Sequence, residues 1–163
     1  MQQHAVRVDD VLPEDDAVWQ DSDVTPSAPL RVTGRLSSAG SGRFYLSGHL
    51  SGHTVASCRR CLTETAVQIE EDVHLVFAEA TGESGEESDV YVLPPRAQVI
   101  DLRPAVREEW LLAAPAYVLC REDCRGLCPR CGADLNVAPC RCAPEPDARW
   151  DALRAAVRDR ASS

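Results

Sequence analysis

An α+β fold is what this sequence predicts: an antiparallel β-sheet, one central helix, a cysteine-rich module and a short C-terminal helix. Three observations carry that expectation. Residues 30–78 alternate apolar and polar side chains with period two. Residues 102–114 carry an apolar stripe at three- and four-residue steps. Eight cysteines in 163 residues fall in close pairs, six of them after residue 119.

Residues 9–28 combine Asp9, Asp10, Glu14, Asp15, Asp16, Asp21 and Asp23 with Pro13 and Pro26. Such a composition resists packing, so an acidic, partly disordered segment is expected over 1–28. From Leu30 the alternation begins, with Leu30, Val32, Gly34 and Leu36 on one side and Arg31, Thr33 and Arg35 on the other. Ser37 to Gly42 is turn material, after which Phe44, Leu46, Leu50, Thr54 and Ala56 continue the stripe. A long hairpin results, bent at Gly48 and Gly52.

A third strand is expected over Thr65 to Ala78, with Val67, Ile69, Val73, Leu75 and Phe77 facing a core. Its other face is polar, as in an antiparallel sheet with one side in water. Residues 79–89 are acidic and contain Gly and Ser, which indicates a mobile loop. Val90 to Leu93 adds a short strand before Pro94 and Pro95. Asp101 is placed to cap a helix from Leu102 to Ala114 that Pro115 ends, with Trp110 as its anchor on the sheet. The expected division is therefore 1–28, a sheet and helix over 29–114, and a cysteine-rich module with a last helix over 115–163. In that helix Trp150, Leu153 and Val157 share a face, and Arg149, Arg154, Arg158 and Arg160 form a basic cluster.

Charge narrows the function. The chain holds 17 arginines, no lysine and 26 acids, a formal net charge of -9. Residues 1–100 hold 7 Arg against 16 acids, and residues 101–163 hold 10 against 10. Affinity for a phosphate backbone comes from basic groups displacing counterions, so the acidic half is not built to grip nucleic acid. No run approaches the roughly 18–20 apolar residues of a membrane span, and the amino end lacks an apolar signal core. A soluble, cytoplasmic protein without membrane contact is expected.

In a reducing compartment closely paired cysteines are metal ligands more often than disulfides. The pairs are Cys58-x2-Cys61, Cys120-x3-Cys124, Cys128-x2-Cys131 and Cys140-x-Cys142. A structural zinc takes four tetrahedral ligands, and each pair on a tight turn offers two corners. Cys128, Cys131, Cys140 and Cys142 form a closed local unit, leaving Cys58 and Cys61 to join Cys120 and Cys124 across about sixty residues. Two structural zinc sites of four cysteines each are thus expected, and the module reads as a pair of zinc knuckles. Each filled site adds about -2, which takes the charge from -9 to about -13.

Other readings of the same residues stay open: a single merged site, iron in place of zinc, disulfides, or a redox dithiol at Cys58 and Cys61. The spacing nonetheless favours closed sites with no position for a water. No Ser/His/Asp set or phosphate-binding glycine loop accompanies them, so neither an enzyme nor a small-molecule substrate is expected.

At Cys58-Arg59-Arg60-Cys61-Leu62, at Asp101-Leu102 with Val106-Arg107-Glu108 and Leu111-Leu112, and along Leu119 to Asn136, the sequence resembles the YceD family. That last run reads Leu-Cys-Arg-Glu-Asp-Cys-Arg-Gly-Leu-Cys-Pro-Arg-Cys-Gly-Ala-Asp-Leu-Asn. The resemblance covers about residues 30–160. It implies a nonenzymatic, bacterial-type factor in synthesis, processing or accumulation of large-subunit ribosomal RNA. Within that setting the acidic runs Asp9 to Asp23 and Glu83, Glu86 and Glu87 point to a basic ribosomal or rRNA-processing protein as partner; the alternative is pre-rRNA held by Arg121, Arg125, Arg130 and Arg141, which lie among the cysteines.

Overall fold

A computed structural model describes residues 5–79, 90–142 and 147–161, the side chains of the last segment to residue 158. Its centre is a five-stranded sheet in the order β1-β2-β3-β4-β5, with β1 at Ala5–Leu12, β2 at Leu30–Gly40, β3 at Arg43–Ser57, β4 at Glu64–Glu79 and β5 at Val90–Leu93. The first four pair antiparallel, while β5 lies parallel to β4. Helix α1, Arg103–Ala113, packs over β4, and α2, Asp151–Ala161, follows a 3₁₀ turn at Ala148–Trp150.

The alternation puts one face of the sheet under α1. Leu30 and Val32 of β2, Leu46 and Leu50 of β3, and Ile69, Val73, Leu75 and Phe77 of β4 are buried in one cluster with Ala105, Val106 and Trp110 of the helix. Trp110 is fully buried. The stripe of α1 was legible because each of its turns returns a side chain to that face. The helix starts one residue later than expected, at Arg103. Asp101 still receives the Arg103 backbone N–H at 3.0 Å, and it also binds the Arg103 guanidinium at 2.7 Å. Ala114 turns extended ahead of Pro115, which ends the helix.

Three features refine the expected picture. The glycines do not interrupt the pairing: β3 pairs with β4 without a break from Arg43 to Ser57, and the irregularity falls between Ser38 and Gly40. Gly52 instead makes room. A Cβ there would come within 2.6 Å of Leu30 Cδ1 and 3.1 Å of the Trp110 ring, so the missing side chain is what lets the indole lie against the strand.

The acidic segment also departs from a loop. Ala5–Leu12 forms β1, registered on β2 from Ala5 opposite Ser37 to Leu12 opposite Leu30. Val6, Val8 and Leu12 do alternate, but Asp9 and Asp10 hide the pattern. Asp9 is accommodated by Arg7 and Arg31 at 3.1 and 2.8 Å. Trp19, at the end of a 3₁₀ turn over Ala17–Trp19, is buried edge-on to Trp110 with ring centroids 6.3 Å apart. Its Nε1–H is satisfied by the Pro13 carbonyl at 2.9 Å.

Third, the sheet is antiparallel as expected through its first four strands, and β5 adds a parallel edge, with Val90 opposite Val76 and Leu93 opposite Glu79. The expected mobile loop over 79–89 lies outside the described residues from 80 onward. At the other end of the chain, Trp150, Leu153 and Val157 do share a face of the last helical segment. All three are more than half exposed.

Candidate metal centres

The eight cysteine sulfurs converge into two groups of four, each with all its sulfurs within 4.8 Å of one another. Cys58 and Cys61 occupy the connection between β3 and β4. There Leu62 N–H bonds the Cys58 carbonyl at 2.9 Å, Cys58 N–H bonds the Thr63 carbonyl at 2.9 Å, and Leu62 takes a left-handed φ of 64°. The tight turn brings both thiols to one side. Cys120 and Cys124 reach them from the chain beyond α1, whose path is pinned when Arg59 N–H bonds the Val118 carbonyl at 2.8 Å and the Arg59 guanidinium bonds the Ala116 carbonyl at 3.1 Å.

Cys58 and Cys124 sulfurs are 3.8 Å apart, and those of Cys61 and Cys120 are 3.5 Å apart. Four thiolates around a tetrahedral zinc at about 2.3 Å stand about 3.8 Å from one another. The spacing and the all-sulfur donor set therefore fit a closed four-thiolate site. Cys58, Cys61 and Cys124 are buried and pack with Leu119 and Leu127 as a small core of their own.

The second group is local. Leu127 and Asp134 bridge antiparallel, Cys128 N–H bonds the Ala133 carbonyl at 2.8 Å, and Gly132 N–H bonds the Cys128 carbonyl at 2.9 Å. This closes the knuckle of Cys128 and Cys131, and Cys140 and Cys142 complete the set. Cys128 is buried and Cys131 is exposed. Neither group contains a histidine or a carboxylate.

Electrostatics within each group favour a cation. Burial opposes ionisation of Cys58, yet the backbone N–H groups of Cys120, Cys61 and Arg60 outweigh it and bring the thiol down to about 6. The Thr63 hydroxyl and backbone N–H hold Cys61 below the ordinary thiol range. Cys120 is pushed up to about 12, first by its hydrogen bond with Cys61 and then by burial. The second group repeats the contrast: backbone N–H groups of Cys131 and Arg130 bring Cys128 down to about 6, while the contact with Cys131 and burial push Cys142 up to about 12. In each group backbone N–H donors favour a thiolate while the neighbouring sulfur disfavours a second one, a crowding of negative charge that a divalent ion relieves.

Residues that the cysteine spacing did not single out hold the two groups in contact. The Arg60 guanidinium donates to the Cys124 carbonyl at 2.8 Å, and Leu127 N–H bonds the Arg60 carbonyl at 3.0 Å. At Gly126, with φ 75°, a Cβ would stand 2.8 Å from the Arg60 carbonyl oxygen, so only glycine allows this approach. The non-cysteine residues of the run from Leu119 to Asn136 were the available signal.

A mostly antiparallel five-stranded sheet under one helix, extended by two four-thiol clusters, defines a small α+β protein organised around clustered cysteines. The chain belongs to the YceD family: the family model described as "Large ribosomal RNA subunit accumulation protein YceD" matches residues 46–155. An uncharacterized protein of Mycobacterium tuberculosis is 32% identical over 66% of this chain and 53% of its own length. One of Mycobacterium leprae is 32% identical over 69% of this chain and 52% of its own. The uncharacterized protein YlbN of Bacillus subtilis is 26% identical over 84% and 78%. This chain spans about half the length of the mycobacterial relatives it matches. No solved structure matches it. Among the described residues no helix is long and apolar enough to cross a membrane.

Proposed function

We propose that this chain is a nonenzymatic, zinc-stabilised ribosome-biogenesis factor of the cytoplasm that supports accumulation of large-subunit ribosomal RNA. The match to the family model over residues 46–155 carries the ribosomal part of the reading. The two four-thiol groups support the structural part, because four thiolates saturate a tetrahedral zinc and leave no position for water or substrate. Zinc in these sites supplies folding energy and fixed geometry. Cys58, Cys61, Cys120 and Cys124 hold the sheet to the C-terminal module, and Cys128, Cys131, Cys140 and Cys142 hold the module's own shape.

Charge favours docking to a basic ribosomal or rRNA-processing protein over a direct grip on pre-rRNA. Glu14, Asp15, Asp21 and Asp23 are exposed on the amino-terminal segment. Several arginines around the cysteines are engaged internally: Arg59 on the Ala116 carbonyl, Arg60 on the Cys124 carbonyl, and Arg121 on Asn136 and Asp123. An acidic surface steers a basic partner by complementary fields, with an association rate that falls as salt rises.

Depletion of the protein from its own cell, followed by quantification of large- against small-subunit rRNA, tests the reading. The ratio is expected to fall and to be restored by the native chain but not by a Cys58→Ser, Cys128→Ser chain. An unchanged ratio would contradict it, and catalytic turnover in a disulfide-reduction assay would point instead to a thiol oxidoreductase at Cys58 and Cys61.

A further inference from the structure

Asn136 stands at the junction of the two thiol groups. It lies four residues before Cys140, yet its side chain turns toward the other group. Its Oδ1 accepts the Arg125 backbone N–H at 2.8 Å and the Arg121 guanidinium at 2.9 Å. Both are obligate donors, which fixes the orientation of the amide. Nδ2 therefore faces acceptors: the Asp134 carboxylate at 2.7 Å and the Cys124 sulfur at 3.5 Å. Asp134 also accepts the Asn136 backbone N–H at 2.8 Å, and Asp134 is bridged to Leu127, directly before Cys128. The donor aimed at one group is thus mounted on the knuckle of the other.

We propose that Asn136 is a positioning residue that hydrogen-bonds the Cys124 thiolate and couples metal binding in the Cys58/Cys61/Cys120/Cys124 group to metal binding in the Cys128/Cys131/Cys140/Cys142 group. The inference rests on the reading that both groups hold metal. A metal in the second group rigidifies the 126–136 knuckle and with it the Asn136 amide. The N–H···S bond then orients Cys124 and offsets part of its charge, as outer-sphere partners of metal ligands do. By linkage the effect is reciprocal, so each metal tightens the other's site.

The test uses the full chain loaded with zinc or cobalt(II), with Asn136→Ala and Asn136→Asp. Asn136→Asp keeps the acceptor for Arg125 and Arg121 but removes both Nδ2 donations and sets a second carboxylate beside Asp134; Asp134→Ala, which takes away the carboxylate partner and leaves the donor to sulfur, is the control that separates the N–H···S bond from support of the loop. Chelator competition resolves two metals, the first group being assigned as the one lost in Cys58→Ser. Both Asn136 variants are expected to weaken the first group by about 10- to 100-fold. They should also shift its thiolate-to-cobalt charge-transfer band while leaving the second group's band in place. Emptying the second group with Cys131→Ser and Cys142→Ser should weaken the first group in the native chain and weaken it no further in Asn136→Ala.

An Asn136→Asp chain whose first group keeps native affinity and spectrum would overturn the role of the N–H···S bond. The same additional weakening with and without Asn136 would overturn the coupling. If neither group takes up metal, the zinc reading fails and this inference with it. If both load but ignore Asn136, only the inference fails.

Discussion

The sulfurs of Cys61 and Cys120 lie 3.5 Å apart although 59 residues separate them. Between them run β4, β5 and α1, so this pair, with Cys58 and Cys124, closes a long loop of chain around the sheet's end. Closing a loop of that length removes unfolded-state entropy, and metal ligation can do so without the geometric demands of a disulfide.

Cys61→Ser is expected to remove one of two metal ions and to raise amide exchange along residues 115–125, where the chain is pinned to the β3–β4 connection. Cys142→Ser is expected to remove the other ion and to leave exchange in the sheet near native. Metal analysis with hydrogen exchange on both variants checks this; identical exchange maps would contradict the pairing.

Gly52→Ala places a methyl 2.6 Å from Leu30 Cδ1 and 3.1 Å from Trp110. The contacts are side-chain atoms in a packed core, so part of the strain relaxes. A loss of about 1–3 kcal/mol in denaturant unfolding is expected, with little change in metal content. A neutral result would mean that Trp110 is not seated against β3.

Trp19→Ala removes a buried indole that meets Trp110 edge-on and anchors the acidic segment. A loss of about 3–5 kcal/mol is expected, together with earlier proteolysis before residue 28. Native stability in this variant would return the segment to the loop its composition suggests.

Asp101 receives the Arg103 N–H and guanidinium, and the hydrogen bonds from Arg103 hold its carboxyl below the usual carboxylate range. The unfolded chain therefore binds more protons than the folded one as pH drops from the ordinary value near about 3.9. This contribution is complete above that value and lost as pH falls through the lowered one. Asp101→Ala should cost at most about 1 kcal/mol at pH 7, because the pair is half exposed and screened, and progressively less as pH falls through the lowered value. A cost that does not decline with pH would assign the effect to the conformation of the chain ahead of the helix instead of to the carboxylate.

The sheet and helix were readable because strict alternation and a three-four stripe each encode one buried face, as at Leu46, Leu50 and Trp110. β1 was not, since a strand needs only one apolar side and Asp9 and Asp10 suggest solvent, although Arg7 and Arg31 come beside Asp9 once the strand pairs. Gly52 looked like a break because the indole it accommodates arrives from 58 residues downstream. The two cysteine groups were legible from pair spacing. Their mutual contact was not, because Arg60, Gly126 and Asn136 act through backbone carbonyls and one amide that no spacing rule marks.

Metal content per chain, measured with accessible-thiol counting on protein purified under reducing conditions, tests the central claim most directly. Two zinc ions with unreactive cysteines are the expected result, because each four-thiol group closes around one ion. No zinc, or one zinc with Cys58 and Cys61 free to react, would contradict two closed structural sites.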